Sequence, residues 1–178
     1  IVNEDTSLAI GGISVADADD NLSTVQLVVT NGTLNVTLSG AASISAGAND
    51  SNSLTLSGSL ADINATLASL SYQGTLNFTG SDTLTVTSTD ANSSSDVDTV
   101  GITVTSVNDV PVNTVPGAQT VNEDTSLAIG GISVNDVDGN LSTVQLAVTN
   151  GTLNVTLSGA ATISAGANDS NTLTLSGS

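Results

Sequence analysis

The chain has 178 residues and a formal net charge of −17, because 17 acidic residues stand against no Lys, Arg or His. A chain without basic side chains cannot neutralise phosphates, which excludes nucleic-acid binding and attraction to anionic lipid. The absence of His and Cys removes the usual general base, thiol nucleophile and imidazole or thiolate metal ligands, so we expect no enzyme. No run of about 20 apolar residues is present, and no membrane insertion is expected.

Short runs of alternating apolar residues follow one another along the first 109 residues: LAIGGISV at 8–15, TVQLVV at 24–29, TLNVTL at 33–38, SLTL at 53–56, TLTVT at 83–87 and GITVT at 101–105. A period of two predicts half-buried β-strands. Asn31-Gly32 lies between the second and third runs, and this dipeptide predicts a tight hairpin between them.

One segment departs from the alternation. The sequence from Ser59 to Asp62 resembles a capping box, and Leu60, Ile63, Leu67 and Leu70 follow helical spacing. We therefore predict one short helix that crosses between two sheets. About seven or more short strands with frequent turn signals indicate an all-β fold, a β-sandwich.

The chain contains a long internal repeat. Residues 1–59 recur as residues 120–178, an offset of 119, and 52 of the 59 aligned pairs are identical. A period of this length predicts tandem domains: repeat 1 at 1–109, a linker and the start of the next repeat at 110–120, and the first half of repeat 2 at 121–178. Half a sandwich cannot bury its core, so we expect either a longer parent chain or another copy to complete it. The period can start at residue 1 or 60, which would permit strand exchange.

These residues resemble a known family. The phrases PVNTVPGAQTVNEDTSLAIGGISVNDVDGN, SGSLADINATLASLSYQG and GSDTLTVTSTD are similar to the cadherin-like tandem domains of giant bacterial surface adhesins, which type I systems often secrete. The resemblance implies immunoglobulin/cadherin-like β-sandwich repeats, an extracellular location at the cell surface, Ca²⁺ at the junctions between domains, and a role in adhesion and biofilms. It implies no catalysis.

The acidic residues gather where strands are predicted to end. Following the strand directions places Glu4 and Asp5 beside Asn108 and Asp109 at one end of a domain, and Asp17 and Asp19 at the other end. When two domains stack, the first group would approach Asp136 and Asp138 of the next copy. Ca²⁺ binds carboxylate and amide oxygens, six to eight per ion. The residues of both groups, and Asp136 and Asp138, are therefore the predicted metal ligands. Four further residues are reserve ligands: Asp82, Asp90, Asp96 and Asp98.

Two observations bear on this metal site. Ser106-Val107-Asn108-Asp109-Val110 is similar to the cadherin linker DxNDN with Ser106 in place of the leading Asp, a change that removes one possible ligand and leaves the number of ions open. Asp and Asn are also ordinary turn residues, so turn formation is an open alternative for every one of these positions.

The function that follows from the resemblance is an extracellular structural spacer. Tandem sandwiches stiffened by Ca²⁺ at their junctions would extend a surface adhesin, with neighbouring identical repeats as partners. One alternative is a subunit of an extracellular filament, in which identical chains assemble into fibres. A ligand-binding adhesion module has less support, because Tyr72 and Phe78 are the only aromatic residues.

Overall fold

The computed structural model describes residues 1–177 and divides into two units, Ile1–Val107 and Asn108–Ser178. Unit 1 contains nine strands and one helix: β1 Val2–Asn3, β2 Ser7–Ala9, β3 Leu22–Val28, β4 Gly32–Asn35, β5 Ser43–Gly47, β6 Ser53–Ser57, α1 Leu60–Leu67, β7 Ser71–Gly74, β8 Gly80–Asp90 and β9 Ser95–Thr105.

Unit 2 contains five short strands within its described residues: β10 Val112–Thr114, β11 Ser133–Asn135, β12 Thr143–Ala147, β13 Thr162–Gly166 and β14 Thr172–Ser176. Among residues 1–177, no helix is long and apolar enough to cross a membrane.

Unit 1 is built from two sheets. The larger has the strand order β1-β9-β8-β3-β6-β5, in which β1 and β9 are parallel and the other neighbours are antiparallel. The smaller has the order β2-β7-β4 and is antiparallel throughout. The predicted all-β, sandwich-like fold with one short helix is therefore confirmed.

The core of unit 1 is apolar and follows the alternation of the sequence. In β8, Leu84 and Val86 are buried, whereas the preceding Thr83 is exposed. Seventeen buried side chains form one cluster, which includes Val25 and Leu56 from the larger sheet and Leu34 and Tyr72 from the smaller. This burial of apolar surface is the main term that stabilises the sandwich.

Helix α1 connects the two sheets, as predicted, because it lies between β6 of the larger sheet and β7 of the smaller. Ser59 is its N-cap: the Ser59 hydroxyl accepts a hydrogen bond from the Asp62 N–H at 3.2 Å and donates one to the Asp62 carboxylate at 2.9 Å. Ile63 and Leu67 are fully buried in the core cluster. The cap satisfies an otherwise unpaired backbone donor at the start of the helix.

The predicted hairpin at Asn31-Gly32 is wrong. β3 pairs with β6 and β8 in the larger sheet, whereas β4 pairs with β7 in the smaller, so this turn carries the chain from one sheet to the other. Gly32 is required for packing rather than for a hairpin turn, because a Cβ there would overlap the Gln73 carbonyl oxygen and the Tyr72 ring. The Asn-Gly dipeptide indicates a tight turn, but it does not indicate which sheet the next strand joins.

The predicted strand over 8–15 is only partly formed. β2 covers Ser7–Ala9, and residues 10–19 contain no strand. Gly11 and Gly12 follow β2 closely, and Gly12 has a φ of +82°. Two consecutive glycines weaken a strand because they lose the most backbone entropy on ordering and offer no side chain to pack.

The described part of unit 2 contains two separate small sheets. β10 pairs antiparallel with β11, and a three-stranded antiparallel sheet has the order β12-β14-β13. The second sheet is the counterpart of β3-β6-β5 in unit 1, with the same register shift between Ile163 and Ala165 as between Ile44 and Ala46.

Candidate metal site

The candidate site in unit 2 is formed by the loop from Asp136 to Asn140. The Asp138 N–H donates to the Asp136 carboxylate at 3.1 Å, and the Gly139 N–H donates to the Asp136 carbonyl at 3.2 Å. Gly139 has a φ of +65°, a conformation that glycine adopts without strain. The sequence Asp-Val-Asp-Gly-Asn therefore folds locally into a tight turn stabilised by an Asp side chain.

Asn108 and Asp109 pack against this loop. The Asp109 N–H donates to the Asp138 carboxylate at 2.6 Å, and the Asn140 amide donates to the Asn108 side-chain oxygen at 2.7 Å. The Asn108 amide in turn donates to the Asp109 carbonyl at 2.9 Å. The structure thus brings together four of the predicted ligands: Asn108, Asp109, Asp136 and Asp138. A carboxylate oxygen of Asp109 lies within 4.8 Å of one from Asp138.

Two carboxylates at this separation repel each other unless a cation joins them. The chain has no Lys, Arg or His side chain that could serve as this cation. Carboxylate and amide oxygens are ligands that Ca²⁺ accepts in a flexible arrangement. The four residues could hold such an ion together with water, which would complete its coordination.

The equivalent loop of unit 1 forms the same Asp-stabilised turn, but different residues surround it. The Asp19 N–H donates to the Asp17 carboxylate at 2.9 Å, which matches the bond between Asp138 and Asp136. Asp17 lines a shallow hollow together with Asp90 and Asp96. The Asp90 carboxylate is used locally, because it accepts from the N–H groups of Asn92 and Ser94, both at 2.8 Å.

Glu4 and Asp5 lie in a different part of unit 1 from Asp17 and Asp19. Glu4 is buried, and its carboxylate accepts a hydrogen bond from the Val107 N–H at 2.7 Å. The Asp5 carboxylate accepts from the Asn77 N–H at 2.9 Å. Within unit 1 both carboxylates therefore hold backbone segments in place. Their role as metal ligands stays a prediction, as does that of Asp98, which lies exposed in β9.

Asp82 has a structural role that the sequence analysis missed. Its buried carboxylate accepts hydrogen bonds from the Thr30 and Asn31 N–H groups at 3.1 and 2.8 Å. It also accepts from the Tyr72 hydroxyl at 3.0 Å, and Tyr72 is completely buried. A signal was present: Asp82 has the same parity as Leu84 and Val86, the inward-facing residues of β8.

The environment of Asp82 and Tyr72 shifts both pKa values. Burial alone would raise the pKa of Asp82, but hydrogen bonds from the N–H groups of Asn31, Thr83 and Thr30 and from the Tyr72 hydroxyl lower it below its usual value. Burial, followed by the adjacent Asp82 carboxylate, raises the pKa of the Tyr72 hydroxyl. Asp82 is thus held ionised and Tyr72 neutral, an arrangement that fixes structure.

Comparison with known proteins gives one family. The family model described as Protein GAMETE EXPRESSED 2 domain matches residues 9–99, just over half of the 178-residue chain. The chain belongs to this family. The matched residues lie within unit 1 and run from the end of β2 into β9. No curated protein and no solved structure matches the chain.

This family corrects the assignment made from sequence. The resemblance to cadherin-like repeats of bacterial adhesins is wrong, because the matching family is one of gamete-expressed proteins. The predicted spacer of a surface adhesin is wrong for the same reason, and no finding supports repeats stiffened by Ca²⁺. The predicted roles in bacterial adhesion and biofilms are wrong for the same reason, and so are the filament and adhesion-module alternatives. Alternation and turn residues are shared by many β-sandwiches, so such phrases do not separate one family from another.

Proposed function

We propose that the chain is a non-catalytic β-sandwich module of a gamete-expressed protein, and that unit 2 binds Ca²⁺ through Asn108, Asp109, Asp136 and Asp138. The observation that carries the proposal is the approach of the Asp109 and Asp138 carboxylate oxygens to within 4.8 Å in a chain without basic side chains. The proposal concerns ion binding within unit 2 and makes no claim about stiffening.

A non-catalytic role is supported by the use of the buried acids in unit 1. Glu4 and Asp82 are its buried carboxylates, and both accept hydrogen bonds from backbone N–H groups. Groups held in this way fix the fold and are poorly placed to exchange protons with a substrate. An extracellular location at the cell surface is part of the same proposal, and protease treatment of intact cells that express the protein would test it.

Calcium binding is tested by titrating the full chain with Ca²⁺ and comparing two matched variants. Asp138→Asn removes a carboxylate that contacts Asp109, whereas Asp19→Asn makes the same change in the equivalent loop of unit 1. We expect Asp138→Asn to weaken Ca²⁺ binding by about tenfold or more, a loss of about 1.4 kcal/mol, and Asp19→Asn to leave this site unchanged. Calorimetry measures the affinity directly.

Thermal unfolding gives a second readout, because an ion that binds only the folded state raises the melting temperature as its concentration rises. No heat of binding and no thermal shift at about 10 mM Ca²⁺ would contradict the proposal, since this exceeds the weakest typical range for extracellular sites. An equal loss of affinity in the two variants would also contradict the proposal, because Ca²⁺ binding would then depend on the unit 1 loop as much as on the unit 2 loop.

A further inference from the structure

Asp138-Gly139 is the only Asp-Gly dipeptide in the sequence, and it lies in the loop from Asp136 to Asn140. The backbone nitrogen of the residue after an Asp can attack the carbonyl carbon of the Asp side chain and close a ring. A side chain on that following residue obstructs the attack, and glycine has none. The dipeptide therefore allows a covalent reaction that the proposed ion binding does not use.

The reaction requires only water as a second reactant. When the Gly139 nitrogen bonds to the side-chain carbonyl carbon of Asp138, the carboxyl OH leaves with the amide hydrogen as water, and a cyclic imide forms. Water then adds to one of the two imide carbonyls and breaks its bond to the Gly139 nitrogen. Opening at the side-chain carbonyl restores Asp138. Opening at the main-chain carbonyl gives isoaspartate, in which the main chain runs through the former side chain.

Both reacting groups make hydrogen bonds in the folded loop. The Gly139 N–H donates to the Asp136 carbonyl at 3.2 Å, and the Asp138 carboxylate accepts from the Asp109 N–H at 2.6 Å. A third bond, from the Asp138 N–H to the Asp136 carboxylate at 3.1 Å, holds the backbone of the same residue. The attack therefore requires the loop to open, and its rate follows the fraction of chains in which the loop is open.

Isoaspartate at position 138 would disrupt this arrangement. Its main chain is longer by one carbon, and its free carboxylate is attached directly to Cα. The bond from the Asp109 N–H fixes the carboxylate, while the bond to Asp136 fixes the backbone N–H of the same residue. A residue with a longer main chain and a shorter side chain cannot keep both bonds. We therefore expect isomerisation to remove Ca²⁺ binding at this loop.

The equivalent loop of unit 1 has the same turn without the glycine. The Asp19 N–H donates to the Asp17 carboxylate at 2.9 Å, but the residue after Asp19 is Asp20. Asp20 and Gly139 have φ values of +54° and +65°, so their backbone conformations are similar. The side chain of Asp20 obstructs the attack, and Asp19 should therefore be stable under conditions in which Asp138 reacts.

We propose that Asp138 is a site of spontaneous isomerisation, and that Ca²⁺ bound at the unit 2 loop slows the reaction by holding the loop closed. The protection by Ca²⁺ rests on the proposed ion site, whereas the isomerisation does not. An ion that binds only the closed loop lowers the open fraction, so the reaction should be about 100-fold slower at a Ca²⁺ concentration of about 100 times Kd. The ion thus preserves its own site, and chains that stay without it lose the site with time.

Ageing residues 1–178 with and without Ca²⁺ tests the proposal. Both samples are denatured and freed of Ca²⁺ before digestion with a protease that cleaves before Asp but not before isoaspartate. An unreacted loop yields the peptide 138–168, and an isomerised loop yields 136–168. Relative to the unaged chain, we expect 136–168 to accumulate without metal and to form about 100-fold more slowly at about 100 times Kd. Asparagine deamidation raises the mass of a peptide, whereas isomerisation does not, so the two reactions are distinguished.

Two variants move the glycine between the loops. Gly139→Asn should abolish the isomerisation of Asp138, and Asn tolerates the positive φ at this position better than most residues. Asp20→Gly creates an Asp-Gly dipeptide in unit 1, where the positive φ suits glycine. Asp19 should then react, and the peptide 17–49 should appear in place of 19–49.

Calorimetry on aged chains connects the reaction with the ion site. The chain aged without metal should lose Ca²⁺ binding in proportion to its isomerised fraction, whereas Gly139→Asn should keep the affinity that it has before ageing. Absence of the 136–168 peptide, or equal amounts with and without Ca²⁺ in chains that bind the ion, would overturn the proposal. A chain that binds no Ca²⁺ before ageing would contradict the ion site and the protection together, and metal-free ageing would still decide whether Asp138 isomerises.

Discussion

Residues 1–59 and 120–178 share 52 of 59 aligned residues, yet many side chains of residues 120–177 differ in burial from their counterparts. Leu34 is completely buried in unit 1, whereas its counterpart Leu153 in unit 2 is partly exposed. Composition and local pattern are nearly the same in the two copies. The difference shows that the core of the first copy depends on residues 60–107, which come later in the chain.

The two copies also separate local from non-local structure. The hairpin β5-β6 recurs as β13-β14 with the same register shift, because its partners are adjacent in sequence. β2 and β4 have no strand counterparts among residues 120–177, and in unit 1 both pair with β7. A strand whose partner is distant in sequence forms only where that partner is present.

The largest expected difference between the copies is in core truncation. Leu34→Ala should destabilise unit 1 by about 2–5 kcal/mol, because it leaves a cavity in a fully buried site. Leu153→Ala should cost less than about 1 kcal/mol, since its side chain already contacts solvent. Chemical denaturation of the two variants measures both values. Equal losses would mean that the two sites are equally buried in solution.

Asp82 provides the next test, at a site that has no counterpart in residues 120–177. Asp82→Asn should destabilise unit 1 by about 1–3 kcal/mol, because an amide cannot accept as well from the Thr30, Asn31 and Tyr72 donors. Denaturation at neutral pH measures this loss. Thr83→Asn, at the adjacent exposed position, is the control.

The lowered pKa of Asp82 also gives a sign for the pH dependence. The unfolded carboxyl has the higher pKa, so the unfolded state takes up a proton first as the pH falls. The stabilisation is present above the unfolded pKa of about 3.8 and is lost as the pH drops through the folded pKa. Asp82→Asn should therefore flatten the acid dependence of stability as the pH falls below the unfolded pKa. An unchanged acid dependence would exclude Asp82 as its source.

Alanine substitutions at two equivalent glycines, one in each copy, have the smallest expected effect on stability, and the backbone conformations at the two positions are closely matched. Gly40 and Gly159 have φ values of +57° and +60°, so Ala introduces the same backbone strain at both. A Cβ at Gly40 would overlap the Asp62 carboxylate, whereas nothing lies within 4 Å at Gly159. Gly40→Ala should cost about 1 kcal/mol more than Gly159→Ala in denaturation experiments.

Gly47 and Gly166 serve as the control pair for this measurement. A Cβ at either position would overlap the hairpin partner, the Ser53 or Thr172 carbonyl oxygen. Ala at both should therefore cost a similar amount within its own unit. A large difference within this pair would show that the hairpin β13-β14 is not formed as β5-β6 is.

Much of the fold could be predicted from the sequence, because alternation, the Ser59 cap and the spacing of Ile63 and Leu67 are local signals. The sheet to which β4 belongs could not be predicted, since the Asn31-Gly32 turn is the same whether the chain reverses within one sheet or crosses to the other. The association of Asn108 and Asp109 with Asp136 and Asp138 follows from the predicted strand directions. The structural role of Asp82 needed the position of Tyr72, which lies on another strand.

Hydrogen exchange of residues 1–178 tests the central claim most directly, namely that the core of the first copy depends on residues 60–107. β3 is paired on both sides by β6 and β8, whereas β12 is paired by β14 alone in the described structure. We predict slower exchange in LSTVQLVV at 22–29 than in LSTVQLAV at 141–148. Equal protection of the two segments would contradict the account.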